Sequence, residues 1–293
     1  MKKILVTGGN GQLGRSLKQQ LKKNPLPDYE FVFTDEQELD ITDKLLVRTY
    51  FFDNKFEYVI NCAAYTAVDK AESDADKAKM LNADAVKYLA KGCDAQGSVF
   101  IHISTDYVFS GEEESPRKET DPAEPIGVYG KTKLEGEHLA FEENKKTYII
   151  RTAWLYSPYG SNFVKTMLRL FDEKDEINVV DDQFGSPTNA LDLAEAILMI
   201  IRSGKKGNYG IYHYSNEGQC TWHEFAEEIK KLSEAKTLIN PVPTSAYFTP
   251  AKRPKYSLLD KTKIKEVFGI SVPEWRESLK TVFEEGYFSK NTL

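Results

Sequence analysis

The chain has 293 residues, 41% of them hydrophobic and 29% charged, with a net charge of -6. That length suggests about two domains, the composition excludes extended disorder, and the negative balance without a dense Lys/Arg block argues against a nucleic-acid binder. Apolar stretches such as 196–201 are too short to span a bilayer and the run after Lys3 is too short for a secretory signal, so no membrane association and a cytoplasmic location are expected.

In chain order, residues 3–7 predict a buried strand, 12–23 a helix, 30–34 a second strand and 42–54 a helix. A short strand over 58–61 precedes the long Ala-rich helix 76–96. Residues 99–104 form the next strand, followed by a polar loop over 111–125. A helix then runs from Tyr129 to about 144, with a strand over 147–154. The near-continuous apolar strands alternating with helices predict a parallel sheet covered on both faces. Beyond it, 162–171 should be helical, 177–180 a strand, 189–202 a helix and 211–215 a strand. Thr221 and Glu224 have capping-box spacing for a helix reaching 232. With no low-complexity linker, the lobes should interleave: 1–155 a dinucleotide-binding unit to which part of 185–203 returns, and 156–293 mainly a substrate lobe.

Gly8, Gly11 and Gly14 have G-x-x-G-x-x-G spacing, directly after a hydrophobic strand and at the opening of a helix. A pyrophosphate approaches the backbone closely only where no Cβ intervenes, and a helix N-terminus favours its charge. Asp35 follows the second strand, 21 residues beyond Gly14, where an acid binds the adenosine ribose. The turn Gly8, Gly11, Gln12, Leu13, Gly14 is therefore the expected cofactor cradle. A carboxylate at Asp35 repels a 2′-phosphate and favours NAD(H). Arg15, beside the loop, is a possible receiver for that phosphate and leaves NADP(H) open.

A Tyr and a Lys four apart on a helix share one face, and the ammonium is expected to lower the phenol from its usual value of about 10. Tyr129 and Lys133 are the one such pair among 16 tyrosines, a match that chance alone supplies. Position gives it weight: the pair opens a helix after a strand that ends in the hydroxyl of Thr105. The glycine loop, the run Asn61, Cys62, Ala63, Ala64, the run Ser104, Thr105, Asp106, and Tyr129 with Lys133 together resemble the extended short-chain dehydrogenase/reductase superfamily. Within it, residues 63–72 (AAYTAVDKAE), 104–109 (STDYVF), 128–134 (VYGKTKL), 162–167 (NFVKTM) and 182–188 (DQFGSPT), then Arg253 and Pro254, look like the dTDP-4-dehydrorhamnose reductase family. The resemblance covers nearly the whole chain.

What this resemblance implies is reduction of a 4-keto sugar nucleotide by NAD(P)H, dTDP-4-dehydro-L-rhamnose to dTDP-L-rhamnose. The implied fold is α/β, a Rossmann-type doubly wound parallel sheet with a smaller, mixed α/β substrate-binding lobe. Tyr129 is the implied proton donor, Thr105 bonds the same oxygen, and Lys133 holds the nicotinamide ribose. By the same likeness Asp40 and Ile41 touch the adenine, and Ala63, Ala64 and Thr66 line the cofactor cleft. Val68, Asp106, Tyr107 and Trp154 contact the deoxysugar, and Asn162 and Arg253 the diphosphate. Trp154 also reads as a core anchor at the lobe boundary, and Asn162 as only the N-cap of its helix.

Some members of that family pair through magnesium held by glutamates. The corresponding stretches here carry Ser16 and Leu191, so a monomer or a metal-free homodimer is expected, with Asp181 and Asp182 forming a solvated turn. Cys62, Cys93 and Cys220 and the four histidines lack ligand spacing, and no metal is expected. A 4,6-dehydratase wants a second carboxylate where Tyr107 stands. A 4-epimerase, another sugar-nucleotide reductase and a non-catalytic regulatory subunit share the scaffold and remain open at this point.

Overall fold

The structure, a computed structural model, describes residues 1–288. Five aliphatic and β-branched runs of the first half form parallel strands: β1 (Lys2–Thr7), β2 (Tyr29–Thr34), β3 (Tyr58–Asn61), β4 (Val99–Thr105) and β5 (Thr147–Thr152). A sixth, Gly210–His213, arrives from far along the chain and pairs parallel with β5. The strand order is Gly210–His213, β5, β4, β3, β1, β2. Ile4 and Val6 face a layer that holds α1 (Gln12–Lys23) and the helix Ala190–Ser203. Leu5 faces the opposite layer, with α2 (Lys44–Asp53) and the helix Ala85–Gln96. Burial on both faces explains the absence of polar alternation in the strands. Winding reverses between β1 and β3, and the crevice at their carboxyl ends is where an open α/β sheet binds ligands.

A third core belongs to the second half. Tyr156, Val164, Met167, Phe225, Trp275 and Leu279 pack together, drawn from the helices Phe163–Glu173, Trp222–Ser233 and Trp275–Glu284 and their flanks. The expected capping box is present: Thr221 Oγ1 accepts from the Glu224 N–H, and the Glu224 carboxylate accepts from the Thr221 N–H. The strand Glu176–Val180 pairs parallel with Leu238–Val242. That partner strand carries Pro241, which reads as a loop in sequence and is tolerated here because the ribbon has only two strands. The Asp181–Asp182 turn is tied down, Asp181 accepting from Thr221 Oγ1 at 2.6 Å and Asp182 from the Thr244 N–H at 2.9 Å.

Two further elements differ from expectation. The helix expected over 76–96 is interrupted: Ala75–Lys79 passes into a π-helical turn, Met80–Asp84, before Ala85–Gln96. Asn82 in that turn accepts from the Tyr65 N–H at 2.8 Å and donates to the Tyr65 carbonyl and to Thr132 Oγ1. Gly136 of the helix Val128–Glu143 lies so close to the Asn82 carbonyl that no Cβ fits between them. The extra residue in the turn is what lets Asn82 reach both neighbours. The strand expected over 147–154 ends at Thr152 because Trp154 adopts φ 48, a left-handed backbone that is rare for a bulky residue.

Candidate active site

The cleft at the carboxyl ends of β1, β3 and β4 has a volume of about 1160 Å³, above the ~300–1,000 Å³ of a pocket for one small ligand. At one end the backbone shapes it. Gly8 has φ +66, and a Cβ there would meet the Ala63 nitrogen at 2.7 Å. Gly14 does not line the cleft; a Cβ on it would collide with the Gly8 carbonyl, so it sets the helix against the turn. Helix α1 has Gly11 at its N-cap, with no side-chain cap and no acidic residue in its first turn, an arrangement that offers N–H groups to an anion. Asp35 is held at the rim, Oδ2 accepting from the Asn10 N–H at 2.9 Å and Oδ1 from the Glu36 N–H. These features fit a dinucleotide pyrophosphate and ribose. Arg15 turns to the other side, its guanidinium 5.8 Å from the centre of the Tyr159 ring. Lys18, not singled out from sequence, reaches Asn10 at the Asp35 corner.

Gly8, Gly11, Gln12, Leu13, Asp35, Asp40, Ile41, Ala63, Ala64 and Thr66 line the cleft on this side, and Val68, Thr105, Asp106, Tyr107, Tyr129, Lys133 and Trp154 on the other. Tyr129 stands in the first turn of the helix Val128–Glu143, whose Val128 N–H is capped by Glu72 Oε1 at 2.8 Å. Gly130 packs against the Tyr107 carbonyl, and the Tyr107 and Tyr129 rings meet edge to face with centroids 5.5 Å apart. Thr105 Oγ1 donates to Asp106 Oδ1 at 2.9 Å and accepts from the Tyr107 N–H.

Burial pushes the Tyr129 phenol up to about 12, with the Thr105 hydroxyl opposing. Burial also brings the Lys133 amine down to about 8, opposed by Glu137. The acidified phenol expected from the Tyr/Lys spacing is therefore corrected. The Lys133 amine donates to the Ile103 carbonyl at 2.6 Å and faces His102 Nε2 at 3.4 Å, so it is drawn against the interior strand β4, and desolvation dominates at both groups. A phenol that keeps its proton is the form that donates one. Asp106 is buried and pushed up to about 7 by desolvation, against the opposing hydroxyls of Thr105 and Ser257.

Behind this end lies a group the sequence reading did not single out. Arg151 on β5 donates to both oxygens of Glu137, Nη2 to Oε2 at 2.6 Å, and Ser104 donates to the same carboxylate. The pair is 3% and 1% exposed. A lone Arg within the apolar run 147–152 and a lone His within 99–104 were the available signals. Trp222, also unanticipated, stacks on Trp154 with centroids 3.6 Å apart and lines the cleft; a Cβ on Gly185 would strike the Trp154 ring.

Asn162 and Arg253 do not line the cleft. Asn162 Oδ1 caps the Lys165 N–H at 3.1 Å while its amide donates to Gln12 Oε1 and the Ser157 carbonyl. The N-cap reading describes its contacts. Arg253 forks onto Asp69, Nη1 to Oδ1 at 3.0 Å and Nη2 to Oδ2 at 2.6 Å. Burial pushes the Cys62 thiol up to about 12. Among the described residues no group of three or more His, Cys, Asp or Glu gathers as a metal site, and no helix is long and apolar enough to cross a membrane.

The family profile of the RmlD substrate binding domain matches residues 1–288. A dTDP-4-dehydrorhamnose reductase of Aggregatibacter actinomycetemcomitans is 43% identical, with 96% of this chain and 98% of that one covered. A crystal structure of a dTDP-4-dehydrorhamnose reductase from Clostridium acetobutylicum superposes with a TM-score of 0.92 at 46% identity, covering 97% of this chain and 99% of that one. The Bacillus anthracis reductase, solved in complex with NADP, superposes with a TM-score of 0.91 at 40% identity, covering 97% and 100%. Family profile, sequence and fold agree over nearly the full length, and the chain belongs to the dTDP-4-dehydrorhamnose reductase family.

Proposed function

We propose that this chain reduces dTDP-4-dehydro-L-rhamnose to dTDP-L-rhamnose with NAD(P)H, the last step of dTDP-rhamnose synthesis. The observation that carries the proposal is one cleft lined both by the glycine cradle and by Thr105, Tyr129 and Lys133. Gly8, Gly11, Gln12 and Leu13 would hold the pyrophosphate, Asp35 the adenosine ribose, Asp40 and Ile41 the adenine, and Ala63, Ala64 and Thr66 the wall along the cofactor. The bound NADH or NADPH supplies a hydride to carbon 4 of the sugar. As negative charge develops on the ketone oxygen, Tyr129 gives that oxygen its proton while the Thr105 hydroxyl bonds it. Lys133 orients the cofactor ribose and, as an ammonium, stabilises the phenolate that remains. Val68, Asp106, Tyr107 and Trp154 surround the deoxysugar. Arg253 would serve the diphosphate as a planar fork only on leaving Asp69, which holds both of its terminal nitrogens here.

The division of labour we infer is a dinucleotide-binding unit over 1–155, rejoined by part of 185–203, and a substrate lobe mainly over 156–293. Support comes from the helix Ala190–Ser203 packing beside α1 in the sheet's own core. Ser16 and Leu191, both buried, supply no carboxylates for a metal bridge, which supports a monomer or metal-free homodimer. The decisive experiment follows oxidation of NADH and of NADPH with the dTDP-linked keto-sugar. Tyr129→Phe should keep cofactor binding and lose at least about tenfold in turnover, the low side of what a positioned acid supplies. Unchanged turnover would remove Tyr129 from the mechanism, and no consumption of either cofactor by the parent would end the proposal.

A further inference from the structure

Thr7, Asn61 and His102 are successive partners in register across β1, β3 and β4, so their side chains share one face of the sheet. Asn61 Oδ1 accepts from the Ala63 N–H at 3.2 Å and from Thr7 Oγ1 at 2.7 Å. A backbone N–H can only donate, so the amide oxygen belongs on that side and the amide nitrogen faces His102. It donates to His102 Nδ1 at 3.1 Å. In a neutral imidazole one nitrogen accepts and the other carries the proton, which places the proton of His102 on Nε2. That nitrogen lies 3.4 Å from Lys133 Nζ, which also donates to the Ile103 carbonyl.

A neutral amine can accept from the Nε2–H, whereas an ammonium at the same point sets donor against donor. His102 is 0% and Lys133 1% exposed, so water does not relieve the conflict. The ring itself is kept neutral by burial. Glu137, on the helix that carries Lys133, favours the ammonium but is committed to Arg151 on β5. On the cleft side stand Tyr129, whose phenol stays protonated, and Asp106, buried and pushed up by desolvation. An amide does not pass a proton onward, so Thr7, Asn61 and His102 form a brace rather than a proton path.

Building on the assignment of Lys133 above, we propose that His102 is its positioning residue: the Nε2–H, set by Asn61, aims the lysine amine and opposes its protonation until a cofactor enters the cleft. Where the amine is neutral in the free protein, cofactor binding then takes up a proton from solvent at Lys133 Nζ.

The test is NADPH affinity of the full chain, followed by fluorescence from about pH 6 to 10. Above a break set by Lys133, affinity should fall about tenfold per pH unit, since binding and proton uptake are linked. Lys133→Met should abolish the break, and a break that survives it overturns the proposal. His102→Asn keeps an acceptor for Asn61 but withdraws the donor from Lys133, so the break should move to higher pH by about one unit. His102→Gln, with an amide nitrogen near the place of Nε2, should restore the parent's break. A break that stays in place in His102→Asn overturns the idea. ¹⁵N NMR of the parent protein gives an answer even where a variant misfolds: the Nε2–H tautomer is expected, and the Nδ1–H tautomer or an imidazolium refutes it. Because these measurements read binding and tautomer, a failed keto-sugar assay leaves them interpretable.

Discussion

The two ends of the cleft are made of different materials. The glycine-turn end is a matter of steric vacancy: Gly8 and Gly14 leave room for close backbone approach, the first turn of α1 carries no acid, and Asp35 sits at the rim on backbone N–H groups. The Tyr129 end is a matter of buried charge. Lys133, Asp106, Glu137 and Arg151 are each no more than 3% exposed, and each is held by a small number of polar contacts. Shape controls the first end and desolvation the second. Substitutions at the two ends should therefore fail in different ways.

The largest effect is expected at the buried pair. Glu137→Ala leaves Arg151 without its counter-charge and should cost about 3–5 kcal/mol of stability, read by denaturant unfolding. A loss below about 1 kcal/mol would mean that charge does not organise this end. Next comes Gly14→Val, whose Cβ collides with the Gly8 carbonyl. Overpacking of this kind costs about 1–3 kcal/mol, and the distorted turn should weaken NADPH binding on the order of 100-fold, equivalent to about 2.7 kcal/mol. Unaltered affinity with intact folding would show that the third glycine is dispensable.

The sharpest discriminator is a pH dependence at Asp106. Its carboxyl is pushed up to about 7 in the folded protein from an ordinary 3.8. Between those values the folded state binds more protons than the unfolded, so stability falls as pH rises through this window and the cost is complete above it. Asp106→Asn should melt about 2–4 °C higher than the parent at pH 8 for each kcal/mol recovered, and show no advantage at pH 4. An advantage that does not change with pH would point to packing instead of charge.

Features with a local period were legible before the fold was known. The glycine spacing, Asp35 after its strand, the Thr221/Glu224 capping box and the alternation of strand and helix each need only a few neighbouring residues to declare themselves. The spacing of Tyr129 and Lys133 was legible too, but its electrostatic consequence was not, because desolvation by β4 and the lobe around it outweighs one charge a turn away. The π-helical turn at Met80–Asp84 depends on Asn82 meeting Tyr65 and Thr132, partners that no window along the chain contains. The same holds for Trp222 on Trp154 and for Arg253 on Asp69.

By itself, then, the sequence determined the parallel sheet, the glycine turn after β1 and the family, since periodicity and motif order are properties of the chain as written. Tertiary structure alone decided the charge states and partners of Lys133, Asp106 and Glu137. Those follow from burial and from contacts across strands, and the free energy of a charge depends on what surrounds it in space.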